Sequence, residues 1–189
     1  MSLARTSLLV VVIALIAVPG IASARDYAVE VVVFRQWEQG GADSERWPAD
    51  PPPLELDSRA VAPGEGGVRR LSPDAFQLGG VRARLESAGQ YRVIDHFGWI
   101  QAGRPRSQSP YVLVPGSWRA TMPLPDTAGL YGAIKLYAGR YLHIAADLRY
   151  RREHQGTIYP MHSQRRLRSG ELHYLDHPVL GIIVQVRAR

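Results

Sequence analysis

The chain has 189 residues, and its 23 lysines and arginines exceed its 17 aspartates and glutamates, which gives a formal net charge of +6. This length fits one domain that can bury a hydrophobic core of its own. The chain contains no cysteine, which excludes disulfides, thiolate metal sites and acylation of an N-terminal cysteine. Basic tracts with interleaved aromatic residues are missing, so we expect no nucleic-acid partner.

The positive charge is almost entirely arginine, because Lys135 is the only lysine. A guanidinium group is planar and presents paired N–H donors that match carboxylates and phosphates, whereas lysine binds them as a point charge. The composition therefore favours an acidic partner, such as a carboxylate-bearing ligand, an anionic lipid or an acidic protein surface.

The first 24 residues have the pattern of a secretory signal peptide. Arg5 precedes an apolar run over residues 8–18, and residues 22–24 read Ala-Ser-Ala, the small-x-small pattern that signal peptidase requires. The apolar run is too short to span a hydrocarbon core of ~30 Å comfortably, although an uncleaved anchor is the alternative. We expect cleavage after Ala24, no stable membrane insertion, and a single exported domain over residues 25–189.

The mature chain begins with a predicted strand and a long loop. Residues 27–34 are β-branched or aromatic around a single charge, which is typical of a strand with one buried face. Residues 38–67 are rich in glycine, proline and charged residues, which indicates a surface excursion. Trp37 or Trp47 could stack there on a sugar or a partner, or the segment could be a solvated loop.

A helix and a second long strand follow. Ser72 as N-cap, Pro73 at the first helical position and apolar residues at helical spacing predict a helix over residues 73–88. Residues 91–101 alternate well enough to form a strand. Asp95 lies among apolar neighbours in that strand, which indicates either a partly open face or a bulge near Gly98.

The second half of the chain predicts mainly strands. Residues 104–126 are rich in glycine, proline and serine, apart from a possible short strand over 111–114, and residues 134–150 alternate on both sides of a turn at 138–140, which predicts a hairpin. Residues 158–168 and 181–186 predict two further strands. The expected fold is α+β, a single domain with a mainly antiparallel sheet of about six strands and one main helix.

The segment over residues 165–178 is unusually dense in arginine, histidine and acidic residues. If residues 171–177 form helical turns, His173 and His177 share a face and could bind a metal with Asp176 or Glu171, as a metal-dependent cell-wall or phosphoester hydrolase would require. No His-Glu-x-x-His run or glycine-rich phosphate loop supports catalysis, so we expect neither a metal nor another cofactor. The alternative is that His173 and Asp176 satisfy backbone groups at a sheet edge, as a purely structural latch.

The arginines of this segment have two interpretations as well. Strand alternation places Arg166 and Arg168 on one face and Arg165 and Leu167 on the other. The first pair could be a solvated cationic surface, or it could clamp a carboxylate while Glu171 or Asp176 holds one arginine in place.

Four segments together resemble the CsiV family of periplasmic peptidoglycan-binding proteins. They are the block Arg-Arg-Leu-Arg-Ser-Gly-Glu-Leu-His-Tyr-Leu-Asp-His-Pro over residues 165–178, the strand over 27–34, residues 71–101 with His-Phe-Gly-Trp at 96–99, and Gly-Arg-Tyr-Leu-His at 139–143. The resemblance implies a non-catalytic cell-wall protein of Gram-negative bacteria. It implies that the protein binds peptidoglycan and supports a class A penicillin-binding protein through the outer-membrane lipoprotein activator of that enzyme.

The resemblance assigns no binding residues, so the candidates rest on chemistry alone. Aromatic faces suit glycan strands and arginine forks suit stem-peptide carboxylates. The aromatic candidates are Trp99, Tyr141 and Tyr174, and the arginine candidates are Arg140, Arg166 and Arg168, with Glu171, His173, Asp176 and His177 beside them. We expect the neighbouring β-structure to hold this cluster so that it faces outward.

Overall fold

The computed structural model describes residues 25–36, 46–48, 54, 56, 60–117, 128–153 and 156–189. The signal peptide and its cleavage site lie outside the described residues, as does Trp37, so those expectations stay predictions. Within the described part of the chain, no helix is both long enough and apolar enough to cross a bilayer.

The described residues form two antiparallel sheets with nine strands in all. The five-stranded sheet has the order β2 (Arg69–Arg70), β3 (Tyr91–Ala102), β1 (Asp26–Gln36), β9 (Leu180–Ala188) and β8 (Leu172–Asp176). The four-stranded sheet has the order β4 (Val112–Leu113), β5 (Gly129–Ala138), β6 (Leu142–Arg151) and β7 (Ile158–Leu167). The α+β class is confirmed, but the strands are more numerous than the six expected and belong to two sheets.

The two sheets share one apolar core. Because strand side chains alternate between faces, alternate residues of the long strands can enter this core. In β1 these residues are Val29, Val31 and Val33, and in β6 they include Ile144, Ala146, Leu148 and Tyr150. The hairpin predicted over residues 134–150 is therefore confirmed, together with its inner face.

The alternation along β6 indicates one buried and one solvated face, as is common in antiparallel sheets. The residues on the second face are nevertheless buried in part. Asp147 is 3% exposed and Arg149 is 1% exposed. The Arg149 Nη1 atom donates to Asp147 Oδ1 at 2.7 Å, and His162 Nε2 lies 3.3 Å from the same oxygen. Removing one partner of a buried charge pair is destabilising because the other charge is then left uncompensated, so Asp147 and Arg149 depend on each other within the sheet.

The helix predicted over residues 73–88 is wrong in its first part. Residues Pro73–Ala75 form a short 3-10 turn, and the α-helix α1 (Gly79–Ser87) begins only after it. The Ser72 side chain makes no capping hydrogen bond. The helix buries none of its own residues, so the apolar spacing that predicted it does not correspond to a buried helical face.

A distant carboxylate explains the interruption. Glu30 of β1 is completely buried, and its two carboxylate oxygens accept the backbone N–H groups of Gln77 and Leu78, each at 2.8 Å. His96 Nε2 lies 2.9 Å from the same carboxylate and Arg187 Nη2 lies 3.5 Å from it. Because Glu30 binds the N–H groups at this point, the chain bends onto the sheet before the helix can start.

Gly98 lets the same segment lie close to the sheet. The Leu71 N–H donates to the Gly98 carbonyl at 3.0 Å. A Cβ atom at residue 98 would lie 2.9 Å from the Leu71 side chain and 2.8 Å from the Val29 carbonyl oxygen. Leu71 packs with Ala28 in a small apolar cluster that Phe76 also contacts. Gly98 therefore allows close packing, and the bulge that was one of two alternatives there does not lie at this residue.

The register shift between β1 and β3 occurs nearer to Asp95. It falls between Val33 and Phe34, which pair with Asp95 and Val93 and leave Ile94 as the additional residue. Burial raises the pKa of Asp95 from 3.8 to about 6. The folded protein therefore holds this proton more tightly than the unfolded chain, and the stabilising contribution present below pH 3.8 is lost as the pH rises through about 6.

We expect Glu30→Ala to lower the free energy of unfolding by about 3–5 kcal/mol, because the change leaves two buried N–H groups and two basic side chains without their acceptor. Urea unfolding followed by circular dichroism measures this loss. The exposed Glu65→Ala control should change stability by less than ~0.5 kcal/mol. A loss below ~1 kcal/mol in Glu30→Ala would contradict the role of this carboxylate.

Candidate functional site

The candidate residues near residues 140 and 166 meet at one end of the molecule. Leu142, the first residue of β6, pairs with Leu167, the last residue of β7, so the β5–β6 turn lies beside the turn that follows β7. This second turn carries the chain from the four-stranded sheet to β8 in the other sheet. It is held against β9 by the Gly170 N–H, which donates to the Val186 carbonyl at 2.8 Å, and by Ser169 Oγ, which accepts the Ala188 N–H at 3.0 Å.

Two arginines surround one exposed tyrosine at this end. The Arg166 guanidinium carbon lies 4.8 Å from the centroid of the Tyr141 ring, and that of Arg140 lies 5.6 Å from it. Tyr141 is 45% exposed. Cation–π contacts at these distances orient the guanidinium groups without using their N–H donors. We call Arg140, Tyr141 and Arg166 the hairpin-end surface.

Two stacked rings lie next to the hairpin-end surface on the same face of the sheet. Arg166 pairs with His143 across β6 and β7, and the His143 ring stacks on Tyr137 with centroids 5.0 Å apart. Sequence reasoning did not select His143 or Tyr137, although both occupy the same strand face as Arg166. The stacked rings therefore lie beside Arg166 on the same strand face.

The predicted alternation holds for Arg165 and Arg166, whereas Arg168 lies beyond the end of β7 and shares no strand face with Arg166. Arg165 is exposed, and its Nη1 atom donates to the Tyr174 carbonyl of β8 at 3.0 Å, which links the two sheets. Arg168 lies in the turn, 80% exposed, with its Nη1 atom 3.6 Å from Glu171 Oε1. This exposed ion pair contributes little to stability, so the Arg168 guanidinium remains accessible beside the hairpin-end surface.

His173 and His177 act on the backbone. The Arg168 N–H donates to His173 Nε2 at 3.1 Å. His177 Nδ1 accepts the N–H groups of Val179 and Leu180, both at 3.2 Å, and its Nε2 donates to the Pro160 carbonyl at 3.0 Å. An imidazole that accepts at Nδ1 and donates at Nε2 is neutral. In this form His177 connects the turn between β8 and β9 to Pro160 of β7.

Tyr174 and Asp176 form a pair on the outer face of β8. The Tyr174 hydroxyl donates to Asp176 Oδ1 at 2.7 Å and accepts from Gln36 Nε2 at 3.3 Å. The Tyr174 ring stacks on Phe34 with centroids 6.2 Å apart. Burial and the adjacent Asp176 carboxylate raise the pKa of Tyr174, so the hydroxyl stays protonated and holds Asp176 in place.

The helical premise of the metal-binding interpretation is wrong. Residues 172–176 are the extended strand β8, so His173 and His177 are four residues apart along extended chain, a separation of about 13 Å, and do not share a helical face. Among the residues that the structure describes, no group of three histidine, aspartate or glutamate side chains could hold a metal ion. The interpretation of His173 as a residue that satisfies backbone groups at a sheet edge fits the observed contacts.

Trp99 is wrong as a candidate binding residue. It is 0% exposed within the core, and its Nε1 atom donates to Gln101 Oε1 at 2.7 Å. Trp47 is partly buried against the core, with its ring packed edge-on against Tyr159 at 5.1 Å and 5.3 Å from the His177 ring. Of the aromatic candidates, Tyr141 and Tyr174 remain exposed.

These features define a small two-sheet α+β protein that presents arginine and tyrosine on an accessible end. The chain belongs to the CsiV family, because the family model described as "Peptidoglycan-binding protein, CsiV" matches residues 6–189. The resemblance found in the sequence is thereby confirmed over essentially the whole chain. No curated protein and no solved structure matches the chain.

We expect His177→Ala to lower the free energy of unfolding by about 1–3 kcal/mol, because two N–H groups and one carbonyl lose their partner.

Zinc should have no effect on the unfolding midpoint of the wild-type protein or of His173→Ala, since the imidazoles of His173 and His177 are far apart. Urea unfolding and equilibrium dialysis with zinc measure the two results. One zinc ion bound per chain and lost in His173→Ala would overturn the structural role and restore the hydrolase interpretation.

Proposed function

We propose that this protein is a non-catalytic periplasmic protein that binds peptidoglycan with its hairpin-end surface. The observation that carries the proposal is the match of residues 6–189 to a family described as peptidoglycan-binding. The arrangement of Arg140 and Arg166 around Tyr141 supports the choice of surface.

The chemistry of peptidoglycan suits these residues. Its glycan strands present the apolar faces of sugar rings, and its stem peptides carry free carboxylates. The exposed Tyr141 ring offers an aromatic face for a sugar, and the arginine N–H donors that remain unused in the cation–π contacts offer bidentate hydrogen bonds to a carboxylate. One small surface can therefore contact both parts of the polymer.

The residues around the hairpin-end surface hold its side chains in place, which favours specific recognition over nonspecific electrostatic attraction. The stacked pair of Tyr137 and His143 lies beside Arg166 on the same strand face, and the adjacent turn is tied to β9 by a backbone hydrogen bond. Side chains that are held before the ligand arrives lose less conformational entropy on binding. Arg168, which is largely exposed, adds a third positive charge at the edge of the surface.

We further propose that the protein supports cell-wall synthesis by acting with a class A penicillin-binding protein and its outer-membrane lipoprotein activator. The family resemblance motivates this proposal, and the abundance of arginine is compatible with an acidic protein partner.

We expect the mature protein to sediment with purified sacculi at low salt, and the double variant Arg140→Gln with Arg166→Gln to bind about tenfold more weakly, because two charge-assisted contacts are lost. Raising the ionic strength to 1 M should release the wild-type protein, since screening then acts over about 3 Å. A sacculus sedimentation assay with quantified supernatant measures both effects.

Arg84→Gln is the control, because it removes one positive charge from an exposed position in α1, and each single variant Arg140→Gln and Arg166→Gln is compared with it directly. Its binding should equal that of the wild-type protein, and thermal unfolding should show that all variants are folded. Wild-type protein that stays in the supernatant at low salt would overturn peptidoglycan binding. Equal loss in the control and the double variant would overturn the hairpin-end surface alone.

The partnership has a separate test. We expect tagged mature protein to retain the purified lipoprotein activator in a pull-down without sacculi, because the proposal requires a direct protein contact. Mass spectrometry of the eluate identifies the retained protein. No recovery of the activator, either without sacculi or with them, would contradict this part of the proposal.

A further inference from the structure

A cavity of about 270 Å³ lies on the outer face of the four-stranded sheet, beside the hairpin-end surface. The residues that line this sheet-face cavity include Arg106, Tyr111, Ala145, His162 and Gln164. Ala145 and Gln164 are direct partners in the register of β6 and β7, and the next pair on the same face is His143 with Arg166. Two residues of strand span about 7 Å, so the cavity adjoins the hairpin-end surface.

The cavity forms where a small residue lies among large ones. Ala145 is half-buried on the outer face, between its partners Lys135 of β5 and Gln164 of β7. Because its side chain is a single methyl group, the longer side chains of the neighbouring strands extend beyond it and surround a depression. Tyr111 lines the β5 side of this depression, and Lys135 Nζ lies 4.3 Å from the centroid of its ring.

Three polar side chains in the lining are accessible to a ligand. Arg106 is exposed, and its guanidinium carbon lies 5.6 Å from the centroid of the Tyr137 ring, a cation–π contact that does not use the N–H donors. Gln164 is exposed, and its Nε2 atom donates to the Tyr137 hydroxyl, which leaves the amide oxygen as an acceptor. The His162 side chain is 56% exposed, with Nε2 3.3 Å from Asp147 Oδ1. Contacts within the sheet thus orient all three groups.

The formal charges around the cavity are mixed. Among the described residues that line it, Arg106 and Asp147 have charges of opposite sign. Asp147 is bonded to Arg149 within the sheet, so a ligand depends mainly on Arg106, His162 and Gln164 for its polar contacts. A neutral ligand with several hydroxyl groups suits such a lining, because each hydroxyl both donates and accepts hydrogen bonds.

The size of the cavity restricts the ligand further. About 270 Å³ is slightly below the range of about 300–1,000 Å³ that is typical of sites for a whole small molecule, so the cavity accommodates one unit of a larger ligand. Tyr111 and Ala145 provide apolar surface beside the polar groups. One ring of a sugar polymer combines these properties, since it has hydroxyl groups at its edge and an apolar face.

We propose that the sheet-face cavity is a sugar-binding subsite, which takes one ring of a glycan strand while the neighbouring part of the strand contacts the hairpin-end surface. The origin of the strand in peptidoglycan rests on the proposed function, whereas the sugar site itself does not. Ala145 lies four residues of extended chain from Tyr141, a distance of about 13 Å, so the glycan strand lies along β6 and β7. Two contact points on one polymer raise the overall affinity without any new contact at either point.

Isothermal titration calorimetry with the mature protein tests this inference. The probes are a peptide-free tetrasaccharide of peptidoglycan, the free stem tetrapeptide, and inorganic phosphate. We expect the tetrasaccharide to bind about fivefold more weakly to Gln164→Ala, which removes a hydrogen-bonding group, and about tenfold more weakly to Ala145→Leu, which fills the cavity. Gln164 is exposed, so this variant keeps the test valid even if Ala145→Leu does not fold.

Gln90→Ala and Ala83→Leu are the matched controls, because they make the same changes at exposed positions in and beside α1. Both should bind every probe as the wild-type protein does, and thermal unfolding verifies that the variants are folded. The stem tetrapeptide should bind to the two cavity variants as it binds to the wild-type protein, since its carboxylates contact the hairpin-end surface.

Several results would overturn the sugar subsite. They are no binding of the tetrasaccharide by the wild-type protein, equal weakening in the controls, and equal weakening for the tetrapeptide, which would mean that the variants act indirectly on the hairpin-end surface. Phosphate that binds more weakly to Arg106→Gln than to Arg84→Gln, with tetrasaccharide binding unchanged in the cavity variants, would replace the sugar by an anion.

Sacculus sedimentation in parallel separates this inference from the proposed function. Wild-type protein that sediments, while the cavity variants bind the tetrasaccharide normally, would overturn only the subsite. Wild-type protein that stays in the supernatant but binds the tetrasaccharide in a way that depends on Gln164 would support the sugar site and overturn the proposed function.

Discussion

The register between β6 and β7 is the constraint on which the accessible end of this protein depends. Strand side chains alternate, so a slip of one residue would turn Leu167 and Met161 out of the core and Arg166 into it. The apolar residues of β6 prevent that slip, because they need partners of the same face across the strand pair. The core thereby forces Arg166 outward beside His143 and brings it to Tyr141. The position of the surface is thus a consequence of the hydrophobic effect, although its chemistry is polar.

Polar residues in this fold have two distinct roles that their identity alone does not reveal. Glu30 and His177 are saturated by backbone groups and hold chain segments to the sheets. Arg140, Arg166 and Arg168 instead make contacts that leave their charged ends accessible, through an aromatic face or a weak exposed ion pair. The dense polar segment over residues 165–178 combines both roles, since its histidines fix the turn and its arginines extend from it.

Alternation predicted the long strands and the two faces of the hairpin, because these depend on a local period of two residues. The same rule could have assigned Trp99 to the core, since it shares a face with the buried Phe97. The split of the predicted helix depends on Glu30, which is more than forty residues away in sequence. The strand β8 depends on its pairing with β9, which pulls a short polar segment into extended form. Arg35, Arg92 and Arg151 come from strand ends distant in sequence, so only the assembled sheets bring them to one cavity.

The central claim is that peptidoglycan contacts the hairpin-end surface. Nuclear magnetic resonance of the isotope-labelled mature protein, titrated with soluble peptidoglycan fragments, tests it residue by residue. The account predicts the largest saturable shift changes at the backbone amides of residues 139–143 and 166–168 and at the Arg166 guanidinium, with no change in α1. Saturable shift changes confined to α1 and the neighbouring face of the five-stranded sheet, with none at residues 139–143, would contradict it.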